Sequence, residues 1–165
     1  MDVEDYEHGL YASLREDPDV ILIGEMRTPE TIETALVAAE TGHLVFSTIH
    51  TNSAVDSIDR IVGVFPENKQ PQIRLQLSMT LKAVLAQQLV PRATGRGRAA
   101  ACELMMITPP VRNLIRDGRT PQMQSYLMSG GKDGSVTMDR FLAELAGKGV
   151  IIAGTAWKQQ TIRRR

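Results

Sequence analysis

Four aliphatic residues precede a glycine and a carboxylate in Val20-Ile21-Leu22-Ile23-Gly24-Glu25. A run that is apolar at consecutive positions is typical of a strand in a parallel sheet, where both faces are covered. A second such run spans Leu44 to Ile49, and His50 comes directly after it. The intervening segment has helical periodicity, so the sequence predicts a strand–helix–strand unit with a right-handed crossover.

The helices on either side of the second strand have recognisable boundary residues. Thr28 suits the N-cap of the first helix, Pro29 its first position and Gly42 its C-terminal end. Ser53 predicts the start of another helix, which the Phe65-Pro66 pair ends. An earlier apolar repeat through Tyr6, Leu10 and Leu14 predicts a short helix that ends near Asp17-Pro18.

The second half of the chain continues with helical and turn signals. Apolar residues at four-residue spacing predict a long core helix over 72–89: Ile73, Leu77, Leu81, Leu85 and Leu89. Thr94–Gly97 reads as a turn between two strand candidates, Leu89–Arg92 and Arg98–Ile107. Beyond them the sequence predicts short helices at about 110–117, 121–129 and 136–148. We therefore expect an α/β part over 1–107 and a helical part over 108–165.

Composition excludes several classes of protein. Among 165 residues, 42% are hydrophobic and 23% charged, which is the range of globular domains rather than disordered chains. Nineteen basic residues balance nineteen acidic ones, so bulk charge does not favour binding to nucleic acid, and the tail Arg163–Arg165 is the feature that would support such binding. One cysteine, Cys102, excludes a disulfide framework and a four-cysteine zinc site. No stretch resembles a signal peptide or a membrane span.

Glu25 and His50 are the candidate functional residues. In open α/β sheets, ligands bind at the carboxyl ends of the strands, and both residues follow their strands. Thr48 and Thr51 are expected on the same patch. A hydrophobic strand that ends in an acid has the general form of a Walker B element, whose carboxylate holds a metal through water or orients an attacking water. Alternatively, Glu25 is a strand end that meets solvent and His50 is a solvated loop histidine.

Other polar residues allow competing interpretations. A zinc site from Glu25, His43 and His50 is disfavoured because His43 starts its strand while the other two follow theirs. Arg27 and Arg60 could face a neighbouring subunit's phosphates, and they fit ordinary surface pairs with Glu30 and Asp59 equally well.

Several segments carry a resemblance to one family. Leu14–Arg27 resembles the Walker B region of the secretion-type P-loop ATPases, and Ala38–Asn52 resembles their His box. Ile58–Pro66 and the later Val111–Arg116 are similar to the PilT-type twitching-motility ATPases, which retract type IV pili. The similarity extends from about Leu14 to about Leu145. A single cysteine fits this retraction branch better than relatives with a four-cysteine zinc insertion.

The resemblance implies roles for particular residues. Glu25 would polarise the attacking water, and His50 would link the γ-phosphate to subunit contacts. Gly24 and Thr51 would contribute to nucleotide binding, and no residue is assigned to a resident metal site. ATP and Mg²⁺ are the implied ligands of the complete motor. The implied retraction motif consists of Val111, Arg112, Asn113, Leu114, Ile115 and Arg116.

The chain departs from the family at one essential element. It contains no Gly-x-x-x-x-Gly-Lys-Ser/Thr, the loop whose backbone cradles phosphates. The resemblance therefore implies the second half of a RecA-like P-loop ATPase core, followed by a small helical C-terminal subdomain. Alone, such a chain is expected to be inactive and to hold no nucleotide tightly.

Two functions follow from the resemblance and the missing loop. One is the C-terminal portion of a hexameric, ATP-hydrolysing pilus retraction motor. It would be cytoplasmic, peripheral at the inner face of the inner membrane, and in contact with the inner-membrane pilus platform protein. It would neither insert into the membrane nor bind nucleic acid. The alternative is a non-enzymatic interaction module, or truncated remnant, that binds intact motor subunits or the pilus platform.

Overall fold

A computed structural model of the chain describes Gly9, Ala12 and residues 14–129 and 133–154. A 3₁₀ turn, Leu14–Glu16, comes first. The strands are β1 (Val20–Ile23), β2 (Leu44–Ser47), β3 (Ala83–Pro91) and β4 (Arg98–Met106). The helices are α1 (Pro29–Glu40), α2 (Ala54–Gly63), α3 (Gln70–Thr80), α4 (Pro109–Arg116), α5 (Thr120–Met128) and α6 (Met138–Gly147). The predicted helix through Tyr6 and Leu10 and the basic tail lie outside the described residues.

The predicted strand–helix–strand unit is present. β1 and β2 pair in parallel, with Val20 opposite Leu44 and Ile23 opposite Ser47. α1 covers one face of this pair, where Ile21 and Ile23 are buried against small residues of the helix. On the other face Leu22 is 76% exposed. The prediction that both faces are covered is therefore wrong within the described chain, because this sheet has two strands and a helix on one side.

The predicted helix boundaries are confirmed by their hydrogen bonds. The hydroxyl of Thr28 accepts the amide of Thr31 at 3.3 Å at the start of α1. The hydroxyl of Ser53 accepts the amide of Asp56 at 3.0 Å at the start of α2. Gly42 has a φ of +103°, a conformation that residues with a side chain rarely adopt. The two strands of the unit are thus separated by a helix with defined ends.

The predicted long helix over 72–89 is wrong. α3 ends at Thr80, and the chain continues as β3, which pairs with β4 in an antiparallel hairpin. Side chains alternate between the two faces of a strand, so residues four apart lie on the same face. Leu85 and Leu89 therefore share one face in a strand just as they would in a helix. That face is exposed, at 62% for Leu85 and 54% for Leu89, whereas Ala86 and Val90 are buried.

The three predicted C-terminal helices are confirmed as α4, α5 and α6. α4 and α5 contribute to the main core with α2 and α3, including Val111, Ile115, Met123 and Leu127. α6 packs on β4 in a second core formed by Val90, Ala99, Ala101, Met138, Leu142 and Ile151. The boundary between residues 107 and 108 stays a prediction. No described helix is long and apolar enough to cross a membrane.

The hairpin predicts that the same substitution has effects of different size at two adjacent residues. Val90→Thr places a hydroxyl at a fully buried position and should lower the free energy of unfolding by about 1–3 kcal/mol. Leu89→Thr changes the exposed face and should lower it by less than ~0.5 kcal/mol. Urea denaturation at neutral pH measures both. A larger loss for Leu89→Thr would contradict the strand and favour the helix.

Candidate functional site

The carboxyl ends of β1 and β2 are joined by two hydrogen bonds. The amide of Met26 donates to the carbonyl of Thr48 at 3.0 Å. The hydroxyl of Thr48 donates to the carbonyl of Gly24. Because the strands are parallel and neighbouring, the segments that follow them leave the sheet side by side. This arrangement brings the residues after β1 and β2 to one edge.

Glu25 lies at that edge between two nitrogen-bearing side chains. Its Oε2 accepts a hydrogen bond from Nε of Arg27 at 2.8 Å. Its Oε1 lies 3.4 Å from Nε2 of His50. The Glu25 side chain is 25% exposed, whereas that of His50 is 81% exposed. The predicted proximity of Glu25 and His50 is thus present in the structure, and their roles stay predictions.

Glu25 and His50 line a cavity of about 350 Å³. Arg27 and Arg60 also line this cavity. The remaining lining residues are apolar: Met26, Ile32, Ile49 and Val64. A cavity with two arginines, one histidine and one carboxylate suits a ligand that carries negative charge and exchanges a proton.

The residues around Glu25 lower its pKa. The hydrogen bond from Arg27 is the largest cause, and the charges of Arg27, His50 and Arg60 act in the same direction. Partial removal from solvent acts against them. A carboxylate with a lowered pKa stays ionised but is a weaker base. The contact with Arg27 therefore preserves the charge of Glu25 at the expense of its ability to take a proton.

Two predicted site residues make other contacts. The hydroxyl of Thr51 shares a hydrogen bond of 2.7 Å with that of Ser57, inside the first turns of α2. Gly24 contributes its carbonyl to Thr48. The residues that line the cavity do not include Thr51 or Gly24. The placement of Thr51 on one patch with Glu25 and His50 stays a prediction, as does nucleotide binding by Thr51 and Gly24.

His43 lies at the opposite end of β2 from His50. Its Nδ1 is 3.0 Å from the carbonyl of Ala38 and 3.1 Å from the hydroxyl of Thr41, at the end of α1. Within the described part of the chain, no three His, Cys, Asp or Glu residues form a group that could hold a metal ion.

The sequence is compatible with two settings for Arg27 and Arg60, ordinary surface pairs and contacts with phosphate. Arg27 pairs with Glu25 rather than Glu30. Asp59 accepts a hydrogen bond from the hydroxyl of Thr120 at 2.7 Å, and Arg60 lines the cavity. The sequence signal for the pairing of Arg27 with Glu25 is their separation of only two residues. Nothing local in the sequence indicates which way Arg60 faces.

The segment Val111–Arg116 belongs to α4 and has one buried side. Val111 and Ile115 are fully buried, as the helical spacing predicts. Arg112 is half-buried and donates from Nε to the carbonyl of Ile107 at 3.4 Å. Arg116 is exposed and donates from Nε to Asp117 at 3.3 Å. Arg112 is therefore less exposed than Arg116, because its head group bonds the backbone before the helix.

Known proteins resemble the chain over most of its length. A model of the family described as type II/IV secretion system protein matches residues 3–133. A twitching motility protein from Neisseria gonorrhoeae is 49% identical over 146 residues. The type IV pilus retraction ATPase PilT from Pseudomonas aeruginosa is 50% identical over 146 residues. Each alignment covers 88% of this chain, but 39% and 42% of the respective relatives.

Solved structures match the fold in the same way. The crystal structure of the pilus retraction motor PilT with bound ADP has a TM-score of 0.85 and 46% identity, and covers 96% of this chain and 44% of that one. The ATPase DotB of Legionella pneumophila has a TM-score of 0.81 at 26% identity, covering 94% of this chain and 42% of that one. The chain thus spans about two-fifths of the length of these relatives, and its α/β fold corresponds to the C-terminal part of a RecA-like ATPase.

The contacts of Glu25 predict a measurable pKa change. Arg27→Gln removes the hydrogen bond that lowers the pKa most, so the pKa of Glu25 should rise toward the ordinary carboxyl value. Arg60→Gln removes a weaker influence and should raise it less. Carbon-detected NMR titration of the Glu25 carboxyl measures both changes.

The same pairing has a pH-dependent effect on stability. Because the pKa of Glu25 is lowered on folding, its pairing stabilises the chain above the unfolded carboxyl pKa, and this contribution is lost as pH falls through the folded value. Arg27→Gln should therefore reduce the part of the loss of unfolding free energy at acidic pH that comes from Glu25. An unchanged Glu25 titration in Arg27→Gln would contradict the assigned pairing.

Proposed function

Because the chain belongs to the type II/IV secretion system protein family, we propose that it is the C-terminal portion of an ATP-hydrolysing motor that retracts type IV pili. The motor is hexameric when complete. The observation that carries this proposal is the juxtaposition of Glu25 and His50 at one strand edge, beside a cavity with two arginines. The activity named for the Pseudomonas relative supplies the direction of the motor, retraction.

In this proposal Glu25 is the base for the attacking water. Its carboxylate is the acidic group of the cavity wall, and it is ionised and partly exposed. His50 reaches solvent from the same edge and contacts both the terminal phosphate and a neighbouring subunit. The phosphate draws Arg27 away from Glu25, because guanidinium pairs strongly with phosphate oxygens. Loss of that hydrogen bond raises the basicity of Glu25 when substrate is bound.

The residues present form only part of a nucleotide site. The cavity offers two guanidinium groups for negative charge, but the sequence contains no phosphate-cradling loop. Glu25 is the one acidic residue among the described residues that line the cavity, and both of its oxygens already face nitrogen atoms. Mg²⁺ takes oxygen ligands in near-octahedral geometry, so these residues do not make a magnesium site by themselves. The remaining ATP and Mg²⁺ contacts belong to the rest of the motor.

The proposed partners follow from the same assignment. Further motor subunits and the inner-membrane pilus platform protein are the proposed contacts. The motor is proposed to be cytoplasmic and peripheral at the inner face of the inner membrane. Equal numbers of acidic and basic residues support neither nucleic-acid binding nor attachment to anionic lipid by bulk charge.

A chimeric motor tests the proposed activity. The chain replaces the segment that it matches in the Pseudomonas retraction ATPase, and phosphate release and twitching are measured. The parent chimera should hydrolyse ATP and restore twitching. Glu25→Gln preserves the shape of the side chain and removes the base, so nucleotide binding should persist while hydrolysis falls roughly 10²–10⁴-fold. Equal loss of binding and hydrolysis would make Glu25 structural.

The isolated chain is the matched control for this experiment. Without the phosphate loop it should release phosphate no faster than buffer, and turnover above ~1 s⁻¹ would contradict the partial-site assignment. The missing loop also favours the second candidate function, a non-enzymatic module. That function requires the isolated chain to bind intact motor subunits or the platform protein, while the chimera remains inactive.

α4 predicts a separation of ATP hydrolysis from motility. Arg116 is exposed at the end of α4, so Arg116→Ala should change the free energy of unfolding by less than ~0.5 kcal/mol. In the chimera we expect most ATP turnover to remain and twitching to be lost. Adding Arg112→Ala should lower the free energy of unfolding by a further ~0.5–1.5 kcal/mol, because the hydrogen bond of Arg112 to Ile107 is lost.

Arg140→Ala is the matched control for Arg116→Ala. Arg140 is also an exposed helix arginine with a neighbouring carboxylate, Glu144, at 3.4 Å. It lies outside the proposed retraction motif, so twitching should persist. Parallel loss of hydrolysis and twitching in Arg116→Ala would show that α4 supports the catalytic core. Unchanged twitching would remove Arg116 from the retraction motif.

A further inference from the structure

Glu103 is a carboxylate in the interior of the chain. It lies on β4, is 1% exposed, and contacts residues far away in sequence. Its Oε1 accepts the amide of Ala54 at 2.9 Å, and its Oε2 accepts the amide of Met138 at 3.3 Å. Placing an ionised carboxylate in the interior is costly unless hydrogen bonds compensate it. The two amides supply such compensation from two directions.

Both amides are the first of a helix. Ala54 begins α2 and Met138 begins α6. The first amides of a helix have no partner within it, and the N-terminal end carries partial positive charge. At each helix the capping hydroxyl bonds the third amide instead, Ser53 to Asp56 and Thr137 to Arg140. One carboxylate therefore complements two helix ends that their own caps leave incomplete.

The start of α2 is also the end of the segment that carries His50. Only residues 51–53 separate His50 from Ala54, and the Thr51–Ser57 hydrogen bond fastens that segment to α2. α6 belongs to the C-terminal helical part of the chain and packs on β4 through Met138 and Leu142. Glu103 is thus a direct link of two hydrogen bonds between α6 and the element that holds the His50 segment.

We infer that Glu103 is a positioning residue that couples the placement of α6 to the placement of the His50 segment. A shift of α6 changes the bond from Met138 to Oε2. Because Oε1 belongs to the same rigid carboxylate, the bond to Ala54 changes with it. The consequence for catalysis rests on the proposed function, since His50 acts on a phosphate only in that proposal. The coupling itself is independent of nucleotide.

Solution NMR of the full chain, without nucleotide, tests the coupling as a double-mutant cycle. Thr137→Val removes the capping hydroxyl of α6 and nearly preserves its shape. It should shift the amide resonances of Ala54 and residues 50–52. In a Glu103→Gln background the same change should no longer reach them, because a glutamine has only one acceptor oxygen. Glu103→Gln should also reduce the hydrogen-exchange protection of Ala54 or Met138 by about ten-fold or more.

Thr108→Val is the matched control, because it changes the residue before α4, whose hydroxyl bonds Tyr126 rather than Glu103. It should leave residues 50–54 unshifted. Equal shifts from Thr137→Val in the unmodified chain and in Glu103→Gln would overturn the inference. They would show that the coupling passes through other contacts, for example the Leu104–Val136 bridge. No shift in the parent would overturn it as well.

A second variant keeps the test available if Glu103→Gln does not fold. Ala54→Pro removes the donor to Oε1 at the first helical position, where proline is tolerated. The extended backbone of Ser53, with φ −145° and ψ 163°, suits a following proline. This variant should also stop the Thr137→Val shifts from reaching residues 50–52. Persistence of those shifts would contradict the role of the Ala54 bond. Since no readout involves ATP, an inactive chimera would leave the result of this test unaffected.

Discussion

β1 and β2 pair in parallel and in register, and Glu25 and His50 take their positions from that pairing. Parallel pairing requires a crossover, which α1 provides, and it sends both chains out of the sheet at the same edge. Glu25 and His50 are distant in sequence, and they lie 3.4 Å apart because their strands end together. An antiparallel pairing of the same two strands would have put the two residues at opposite edges.

The sequence predicted those parts of the fold that depend on local chemistry. The hydroxyls of Thr28 and Ser53 accept hydrogen bonds from amides of the first helical turn that have no other partner in the helix. Their positions therefore mark helix starts without tertiary information. Leu85 and Leu89 were misassigned because a repeat of four fits one face of a helix and one face of a strand alike. What decides between them is the pairing of β3 with β4, a long-range contact that no local window contains. The exposure of Leu22 is likewise a property of the number of strands present, not of β1 itself.

The candidate site was predicted where it follows from topology and missed where it depends on side-chain direction. Glu25 and His50 were predicted because strand ends have a fixed edge. Arg27 and Arg60 were ambiguous because a flexible arginine several bonds long can reach a carboxylate on either side. Glu103 carried no sequence signal at all. Burial alternates along β4, and nothing local shows that Glu103 is on the buried side. Its two partners, Ala54 and Met138, begin helices at distant points of the chain.

The hydrogen bonds between the two strand ends constrain how this edge can move. Met26 bonds Thr48 through the backbone, and the Thr48 hydroxyl bonds Gly24, so the segments after β1 and β2 are tied at two points. Opening a gap between them would break both bonds in a place where the strands also pair. Domain motions usually preserve such packed units and concentrate bending in a few hinge residues. The edge is therefore expected to travel as a rigid body, and rotation about side-chain bonds is the means by which the separation of Glu25 and His50 changes.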